Sequence, residues 1–401
     1  MARRRSSCDA STRVTAAQVQ QVTTELLVAH LPLGVTGYRY GDADIFNVLV
    51  AAAAQQRSLE SVCQQLVSAP SANLVRHYLI ERLFAQIDLD ALEAACNRLL
   101  VARLPEAVRA RPVRLAIDLT LRPYYGTVGE VPDQLRRGAA KAGTTRFHAY
   151  ATAFVLDAGR RVTLALSFVY AHEALADVVT DLLERVQCLG ITLDYLFLDR
   201  EFATVAVLDA LHDQPFVSVV ALPKRGARLQ TLLTGRASTR TTYTMRSADD
   251  GAITFPLWIA CRYAAGRRGQ HRREYWPFAV VGRPSCSWPV PRLADAYRSR
   301  FGIESRYRQA EQVRAPTTSR QPGLRLLLVA ISLLLPNLWV WLQAHLLRVT
   351  SRRDRATLRA WLAATFRLDR FRDLLIVALQ ARYAVHATLT LPLACPCPLK
   401  L

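Results

Sequence analysis

The chain lacks the sequence features of a zinc-binding protein and of a secreted protein. None of its eight cysteines forms a Cys-x-x-Cys pair, which argues against a zinc site. The basic first residues are not followed by an apolar stretch of the signal-peptide type. We therefore expect a protein of the reducing cytoplasm, and one associated with the nucleoid if its partner is DNA.

The chain also has few acidic residues compared with its basic residues, and this excess of positive charge predicts an acidic partner. The chain has Asp+Glu 32 against Lys+Arg 52, a net charge of +20, while hydrophobic residues make up 51% and suffice for a large core. A foldable chain with this charge implies an acidic partner: nucleic acid, a membrane surface or an acidic protein. Nucleic acid is the first expectation, because most of the cations are arginines, which bind phosphate through paired hydrogen bonds.

One stretch resembles a membrane span in length and composition. Residues 326–347 contain no Asp, Glu, Lys or Arg and are long enough to cross a bilayer. Pro336 and Asn337 interrupt the stretch, however, so one or two buried core helices are the alternative. We expect the core helices and no membrane partner.

The first 110 residues are predicted to form an all-helical, DNA-binding region. Apolar residues recur at helical spacing in 16–31 and again in 89–104. Between them, two short helices over 58–84 with serines at their starts have the outline of a helix-turn-helix. In that interpretation Arg76 would reach DNA, together with Asn73 and His77. An ordinary helical hairpin explains the same pattern.

Residues 111–222 predict an α/β fold, a mixed sheet flanked by helices. The expected order is β-β-β-α-β-α-β, with strands at 113–121, 146–157, 161–170, 193–199 and 216–222. Helices between the later strands favour parallel pairing there.

A basic, β-rich insertion is predicted at 223–290. It contains twelve Lys and Arg against three acids, so its net charge of 12 − 3 = +9 is almost half of the chain's excess. Basic residues interleaved with aromatic ones suit a nucleic-acid surface. The candidate contacts are Arg267, Arg268, Arg272 and Arg273. A solvated basic face is the alternative.

Two aspartates stand on apolar strands. Asp118 lies inside the first predicted strand and Asp199 ends the fourth. A carboxylate in such a place is costly unless a cation or hydrogen bonds compensate it. Two of them in one α/β unit suggest neighbouring positions that share Mg²⁺, which prefers carboxylate oxygens. Two unrelated structural aspartates are the alternative.

A third carboxylate lies in the basic stretch 297–309, "YRSRFGIESRYRQ". Tyr297, Arg300, Glu304 and Arg308 are three and four residues apart, which predicts one helical face. On that face Glu304 would complete the metal site, the two arginines would hold phosphates, and Tyr297 would contact a sugar or base. The alternative is a solvated face with an Arg–Glu pair.

Together these residues resemble the DDE transposases of the insertion-sequence-four group, which have an RNase H-like fold. That group carries a Tyr-x2-Arg-x3-Glu-x6-Lys signature, in which Tyr297, Arg300 and Glu304 match and Glu311 stands at the Lys position. The segments "AIDLT" and "FLDREF" resemble those of the family's two aspartates. The resemblance covers about 110–345.

The resemblance implies cut-and-paste DNA transposition with Asp118, Asp199 and Glu304 as catalytic metal ligands. It implies two Mg²⁺ ions, with Mn²⁺ as a substitute, and a homodimer bound to transposon ends and target DNA. The RNase H-like catalytic domain would comprise 111–222 and 291–346, followed by a basic helical tail at 347–401. A metal-dependent nuclease or resolvase without strand transfer, or a DNA-binding regulator without catalysis, are the competing functions.

Overall fold

The computed structural model describes residues 14–35, 37–127, 132–265, 271–283 and 285–386. The described residues fall into two compact units. The helical unit contains residues up to 86, residues 313–317 and residues from 360 onward, and the sheet unit contains 87–312 and 318–359. The domain boundaries drawn from the sequence stay a prediction beside this division.

The regular elements are numbered in chain order. The helices are α1 (Ala16–His30), α2 (Asp42–Gln55), α3 (Leu59–Gln65), α4 (Ala72–Tyr78), α5 (Leu89–Val101), α6 (Leu175–Cys188), α7 (Val205–His212), α8 (Ala227–Leu232), α9 (Val290–Arg298), α10 (Phe301–Glu311), α11 (Pro322–Val349), α12 (Arg355–Thr365) and α13 (Leu368–Tyr383). The strands are β1 (Val113–Pro123), β2 (Arg136–Lys141), β3 (Thr144–Val155), β4 (Thr163–Val169), β5 (Leu193–Leu198), β6 (Val217–Ala221), β7 (Thr239–Ser247), β8 (Gly251–Ala265) and β9 (His271–Val281).

The helical unit joins helices from the two ends of the described chain. Helix α13 packs against α1 and α2, and buries Leu375, Leu379 and Tyr383. The Tyr383 hydroxyl donates to Asp44 Oδ1 at 2.6 Å and accepts from Asn47 Nδ2 at 2.9 Å. A buried polar group is stable in a core only when it is paired in this way.

The predicted caps of α3 and α4 are confirmed. The Ser58 side chain accepts from the Ser61 N–H and the Ser71 side chain from the Leu74 N–H, which satisfies one free N–H in the first turn of each helix. The two helices pack on each other. Arg76, on α4, pairs with Glu60 on α3.

The sheet unit has the predicted α/β fold. Strand β1 pairs with β3 in the antiparallel sense and with β5 in the parallel sense, and β6 extends the parallel part. The order is β2-β3-β1-β5-β6-β9-β8-β7, with β4 also paired to β3. One face carries the core around α6 and α7, and the other face carries the core around α9 and Ile303 of α10.

The predicted insertion is part of this same sheet. Strand β9 pairs with β6 in the antiparallel sense, and β8 and β7 follow outward. The β-type pattern of 223–290 is confirmed, but the pattern gave no sign that these strands would extend the central sheet. Pairing partners lie far apart in sequence, and a strand pattern does not specify them.

Two expectations about the helices were wrong. The single helical face predicted for Tyr297, Arg300, Glu304 and Arg308 is divided between α9 and α10. The N–H groups of Ser299, Arg300, Gly302 and Ile303 bond to carbonyls three residues back and not four, which tightens the turn between the two helices. The interruption expected at Pro336 does not occur, and α11 runs through it. This helix is the one candidate membrane span among the described residues, and 78% of its most apolar window is buried inside the protein.

Candidate active site

Asp118 and Asp199 occupy equivalent positions on neighbouring parallel strands. Ile117 of β1 pairs with Leu198 of β5, and each aspartate is the next residue. Strand β5 ends there, and the Asp199 side chain accepts from the Arg200 N–H at 2.8 Å, which starts a short turn. The sheet register therefore brings the two carboxylates to one edge of the parallel strands.

Arg300 joins both aspartates to Glu304. Its guanidinium lies 3.9 Å from Asp118 Oδ1, 3.6 Å from Asp199 Oδ2 and 3.8 Å from Glu304 Oε1. The Arg300 side chain is only 5% exposed, whereas those of Asp118, Asp199 and Glu304 are 17%, 33% and 47% exposed. The alternative of a solvated Arg–Glu pair is wrong for this arginine, because it is buried among three carboxylates.

The electrostatics of the site leave it short of positive charge. Three carboxylates surround one guanidinium, and the contacts are ion pairs longer than a hydrogen bond. Burial raises the pKa of Asp118 to about 6; Arg300 opposes this shift and the charge of Asp199 adds to it. A further cation beside Asp118 would stabilise the ionised form of its carboxylate.

Two tyrosines fix the helices to the aspartate strands. The Tyr297 hydroxyl donates to the Leu198 carbonyl at 3.2 Å, one residue before Asp199. The Tyr307 hydroxyl donates to the backbone carbonyl of Asp118 itself at 3.1 Å, and lies 2.7 Å from Thr152 Oγ1 on β3. Each tyrosine thus fixes the backbone at one aspartate relative to the helix pair α9 and α10.

Tyr297 and Tyr307 change the sequence interpretation in different ways. Tyr297 was expected to contact DNA, but the structure buries it against Phe197 and Phe278 and engages its hydroxyl. A contact of Tyr297 with DNA stays a prediction. Tyr307 was not a candidate at all. Its position three residues after Glu304, on the same helix, was the one signal that could have identified it.

Arg306 anchors α10 on its other side. Its guanidinium, which is fully buried, donates to the Leu333 carbonyl at 3.3 Å and to Asn337 Oδ1, both on α11. Asn337 also accepts from the Thr163 N–H at 2.9 Å and donates to the carbonyls of Thr163 and Leu100. Asn337 is therefore part of a hydrogen-bond network that joins α10, α11, β4 and α5 behind Glu304.

The remaining predicted residues lie outside the carboxylate cluster. Arg308 is exposed on α10. Arg272 and Arg273 are exposed on β9, where Arg273 donates to the Gly235 carbonyl at 2.9 Å. Arg267 and Arg268 lie outside the described residues. Arg76 lies in the helical unit and is paired with Glu60 and Asn73.

Glu311, which stands where the resembled signature has a lysine, pairs with Arg122 on β1. The ion pair joins the last turn of α10 to the strand that carries Asp118. Glu311, the residue that departs from the signature, therefore has a partner of opposite charge. The ion pair gives Glu311 a structural role outside the carboxylate cluster.

The donor set fits a divalent metal ion by its chemistry. Asp118, Asp199 and Glu304 supply only carboxylate oxygens, the ligands that Mg²⁺ prefers. Within the described ranges no three His, Cys, Asp or Glu side chains are already grouped closely enough to hold a metal ion. The three carboxylates are instead gathered around the cation of Arg300, which shows that their shared environment favours positive charge.

The comparisons with known proteins agree with this geometry. Residues 109–334 match the family described as "Transposase DDE domain", a range that contains all three carboxylates. The chain belongs to this family. No curated protein matches the sequence. The transposase domain therefore accounts for more than half of the chain, and its activity is phosphoryl transfer on DNA in transposition.

A solved structure supports the fold of this transposase. The chain is similar to the piggyBac transposase in a synaptic complex with hairpin DNA, with a TM-score of 0.50 and 12% sequence identity. The similarity covers 92% of this chain and 80% of that chain. At this identity the likeness shows the fold alone, an RNase H-like mixed sheet flanked by helices.

Proposed function

We propose that this transposase moves an insertion sequence by cut-and-paste transposition, with Asp118, Asp199 and Glu304 as the ligands of its catalytic metal ions. The observation that carries the proposal is the convergence of the three carboxylates on Arg300, each within 3.9 Å of its guanidinium. Two come from neighbouring strands and one from a helix fixed to those strands. The membership in the insertion-sequence-four group is part of the same proposal.

The metal ions, Mg²⁺ or the more tolerant Mn²⁺, would be held by the two aspartates and Glu304. Bound there as a pair, they would activate the attacking water and stabilise the leaving oxygen of an in-line displacement. The strand carbonyl at Asp118 is fixed by Tyr307, so the ligand on β1 and the ligand on α10 keep their spacing. Such a preorganised set loses little free energy to reorganisation when charge develops.

Arg300 and Arg308 would serve the DNA phosphates beside the ligands. Arg300 caps the start of α10 and is buried among the carboxylates, so its charge is fixed in place, whereas Arg308 is exposed on α10 itself. A buried guanidinium fixed near a phosphate stabilises negative charge more than one in bulk water does. The proposal includes a homodimer on the transposon ends and action in the cytoplasm on nucleoid DNA.

The test uses a duplex of the DNA that flanks the coding sequence, with MgCl₂ and purified protein. Asp118→Asn, Asp199→Asn and Glu304→Gln should each lower strand cleavage by about a hundredfold or more, since removal of a metal ligand takes away several kcal/mol of transition-state stabilisation. DNA binding without metal should stay close to wild type. Asp209→Asn, a surface acid on α7, is the matched control.

The same reactions separate the competing functions. Cleavage followed by joining of the 3′ end to a target plasmid supports transposition. Cleavage without joining, in the presence of paired ends and target, would indicate a nuclease or resolvase. Binding that is unaffected by the three substitutions, with no cleavage by the wild type in Mg²⁺ or Mn²⁺, would leave only a DNA-binding regulator.

A further inference from the structure

A second cationic site lies at the end of α11, apart from the carboxylate cluster. A cavity of about 500 Å³, here called the α11 pocket, opens between residues 341–348 of that helix, residues 355–359 at the start of α12 and the segment 103–107. All of its lining residues belong to the sheet unit. Its polar and aromatic lining consists mainly of Arg103, Trp341, His345, Arg348, Arg355 and Arg359.

The charge of the α11 pocket is strongly positive. Four arginines and one acid, Glu106, line it, which gives 4 − 1 = +3 with neutral histidine. Arg348 pairs with Glu106 at 3.5 Å, but both side chains are largely exposed and such a pair is weak. Within the part of the chain that the structure describes, Arg103 and Arg359 have no carboxylate partner.

Arg355 has a different place in the α11 pocket. It donates to the carbonyls of Thr350 at 3.2 Å and Arg348 at 3.3 Å, at the end of α11. This arrangement holds its guanidinium against the helix terminus with another nitrogen to spare. A guanidinium that is fixed before binding loses less side-chain entropy when it meets a phosphate.

An aromatic platform lies beside these cations. Trp341 and His345, one turn apart on α11, stack with ring centroids 5.4 Å apart and an angle of 25°. The Arg103 guanidinium lies over the Trp341 ring at 5.6 Å. Flat rings next to arginines are what single-stranded nucleic-acid sites use, because any base can stack on the ring while the cations hold the backbone.

We propose that the α11 pocket binds an unpaired stretch of DNA, with a base against Trp341 and backbone phosphates on Arg103 and Arg359. The proposal rests on the proposed function, since it assumes that the protein acts on DNA. An acidic peptide without aromatic residues, such as polyglutamate, would find the same charge but has no ring to place on Trp341. An anionic membrane is the weaker occupant, because the apolar part of α11 is buried inside the protein.

The first experiment measures binding of the full-length protein to a labelled 12-nucleotide single strand in EDTA, where no cleavage occurs. Arg103→Gln combined with Arg359→Gln should weaken binding about tenfold at 0.1 M salt and lower the log–log salt slope by about 1.4, since each phosphate that an arginine no longer neutralises lowers it by about 0.7. Trp341→Leu should weaken binding about tenfold as well. Arg137→Gln combined with Arg161→Gln, equal in charge change and outside both the pocket and the basic insertion, should leave both quantities near wild type.

The second experiment uses the wild-type protein, so it does not depend on how a variant folds. A strand with 5-iodouracil at its centre is irradiated on the protein, and the adduct is mapped by mass spectrometry. We expect the adduct on the peptide that contains Trp341 or His345. An adduct elsewhere would overturn the proposal. So would a loss of single-strand affinity in the control variant equal to that in the pocket variants, or a loss of blunt-duplex affinity in the pocket variants equal to their loss of single-strand affinity.

Competition experiments test the other occupants, and catalysis is kept separate. A polyglutamate peptide, or vesicles that contain phosphatidylglycerol, should compete at least tenfold more weakly than unlabelled single strand; tighter binding of either would overturn the assignment. Asp118→Asn should keep the wild-type affinity in EDTA. Loss of cleavage with intact strand binding therefore bears on the carboxylate cluster, and loss of strand binding alone bears on the α11 pocket.

Discussion

At the scale of single residues, one hydroxyl determines much of the site geometry. Tyr307 meets the backbone of Asp118 and the hydroxyl of Thr152, so it ties α10 to two adjacent strands. Burial and then the charge of Asp118 raise its pKa, so the hydroxyl keeps its proton and stays a donor at neutral pH. The spacing between Glu304 and Asp118 depends on this contact.

We expect Tyr307→Phe to slow strand cleavage by about tenfold to a hundredfold, because loss of a buried hydrogen bond costs about 1–3 kcal/mol and here it also loosens two ligands. Mn²⁺ should restore part of the rate, and DNA binding in EDTA should stay unchanged. The measurement is single-turnover cleavage with each metal. Tyr263→Phe, on the exposed part of β8, is the control. Equal rates for Tyr307→Phe and wild type would show that the hydroxyl is dispensable.

His148 supplies a pH dependence of stability. It is buried between the rings of Tyr124 and Phe168, and burial, with a smaller effect of Arg325, lowers its pKa to about 4. Neither ring nitrogen has a hydrogen-bond partner among the described residues. The unfolded chain, with a histidine pKa of about 6.5, therefore binds more protons than the folded protein between pH 6.5 and 4.

The folded state should accordingly lose stability as the pH falls through that window. From pH 7 to pH 5 the contribution of His148 amounts to about 2 kcal/mol of unfolding free energy. His148→Phe should remove most of this slope. Urea unfolding at the two pH values checks it, with His212→Phe, on α7, as the control. A slope that persists in His148→Phe would assign the effect to other groups.

The residues show why one part of the site was predictable and another was not. Asp118 and Asp199 were expected to be neighbours because a charged residue on an apolar strand is unusual and parallel strands align their ends. Tyr307 bonds to residues 189 and 155 positions away, and a tyrosine on a helix has no pattern that announces such a partner. Long-range hydrogen bonds of this kind emerge only from packing.

At the scale of elements, the strands of the insertion place its basic residues on an extension of the central sheet. Strands β9, β8 and β7 continue the sheet outward from β6, so the arginines on them belong to the same sheet as β5, the strand that precedes Asp199. Guanidiniums also stack on tryptophans there, with Arg240 at 3.9 Å from the Trp258 ring and Arg262 at 5.0 Å from the Trp276 ring. The basic strands are thus an ordered surface.

Neutralising Arg267, Arg268, Arg272 and Arg273 to Gln should weaken duplex binding and lower its log–log salt slope by about 0.9 for each phosphate that an arginine no longer neutralises. The measurement is fluorescence anisotropy of a duplex at several salt concentrations in EDTA. Arg109→Gln combined with Arg161→Gln, near the opposite ends of the strands, serves as the control. An unchanged slope in the fourfold variant would mean that these arginines face solvent when DNA is bound.

The sequence predicted the types of most helices and strands well, but it did not predict the edge strand β2 or the turn between α9 and α10. The strands and helices of 113–222 follow the periodicity of the sequence closely, because burial on one face imposes that periodicity. Strand β2 was missed, since "RRGAAK" is polar and small and pairs only at an edge. The tight turn at Ser299 was missed too, because both sides of it have helical composition.

At the scale of the whole molecule, the described chain is organised as one unit built from its two ends and another built from its middle. Tyr383 and Asn47 meet in the helical unit although 336 positions separate them. The segment that the sequence predicts as a basic helical tail contributes the core helix α13 to that unit. Periodicity could show that α13 is amphipathic but not which helices it would cover.

We expect Tyr383→Phe to lower the stability of the helical unit by about 1–3 kcal/mol, because it removes the donor to Asp44 and leaves the buried Asn47 without an acceptor. Hydrogen–deuterium exchange should rise in α1, α2 and α13 and stay near wild type in β1 and β5. Tyr38→Phe, which is fully exposed, is the control. Uniform destabilisation of both units would contradict the division.

The meeting of α13 with α1 and α2 also fixes an order in time. During synthesis, at about 5–20 residues per second, the 336 residues between Asn47 and Tyr383 take roughly 20 to 70 seconds to appear. Over that interval the apolar faces of α1 and α2 lack α13, the helix that covers them in the folded protein. The residues of the sheet unit are all synthesised within the interval, so they are available to fold before α13 is made.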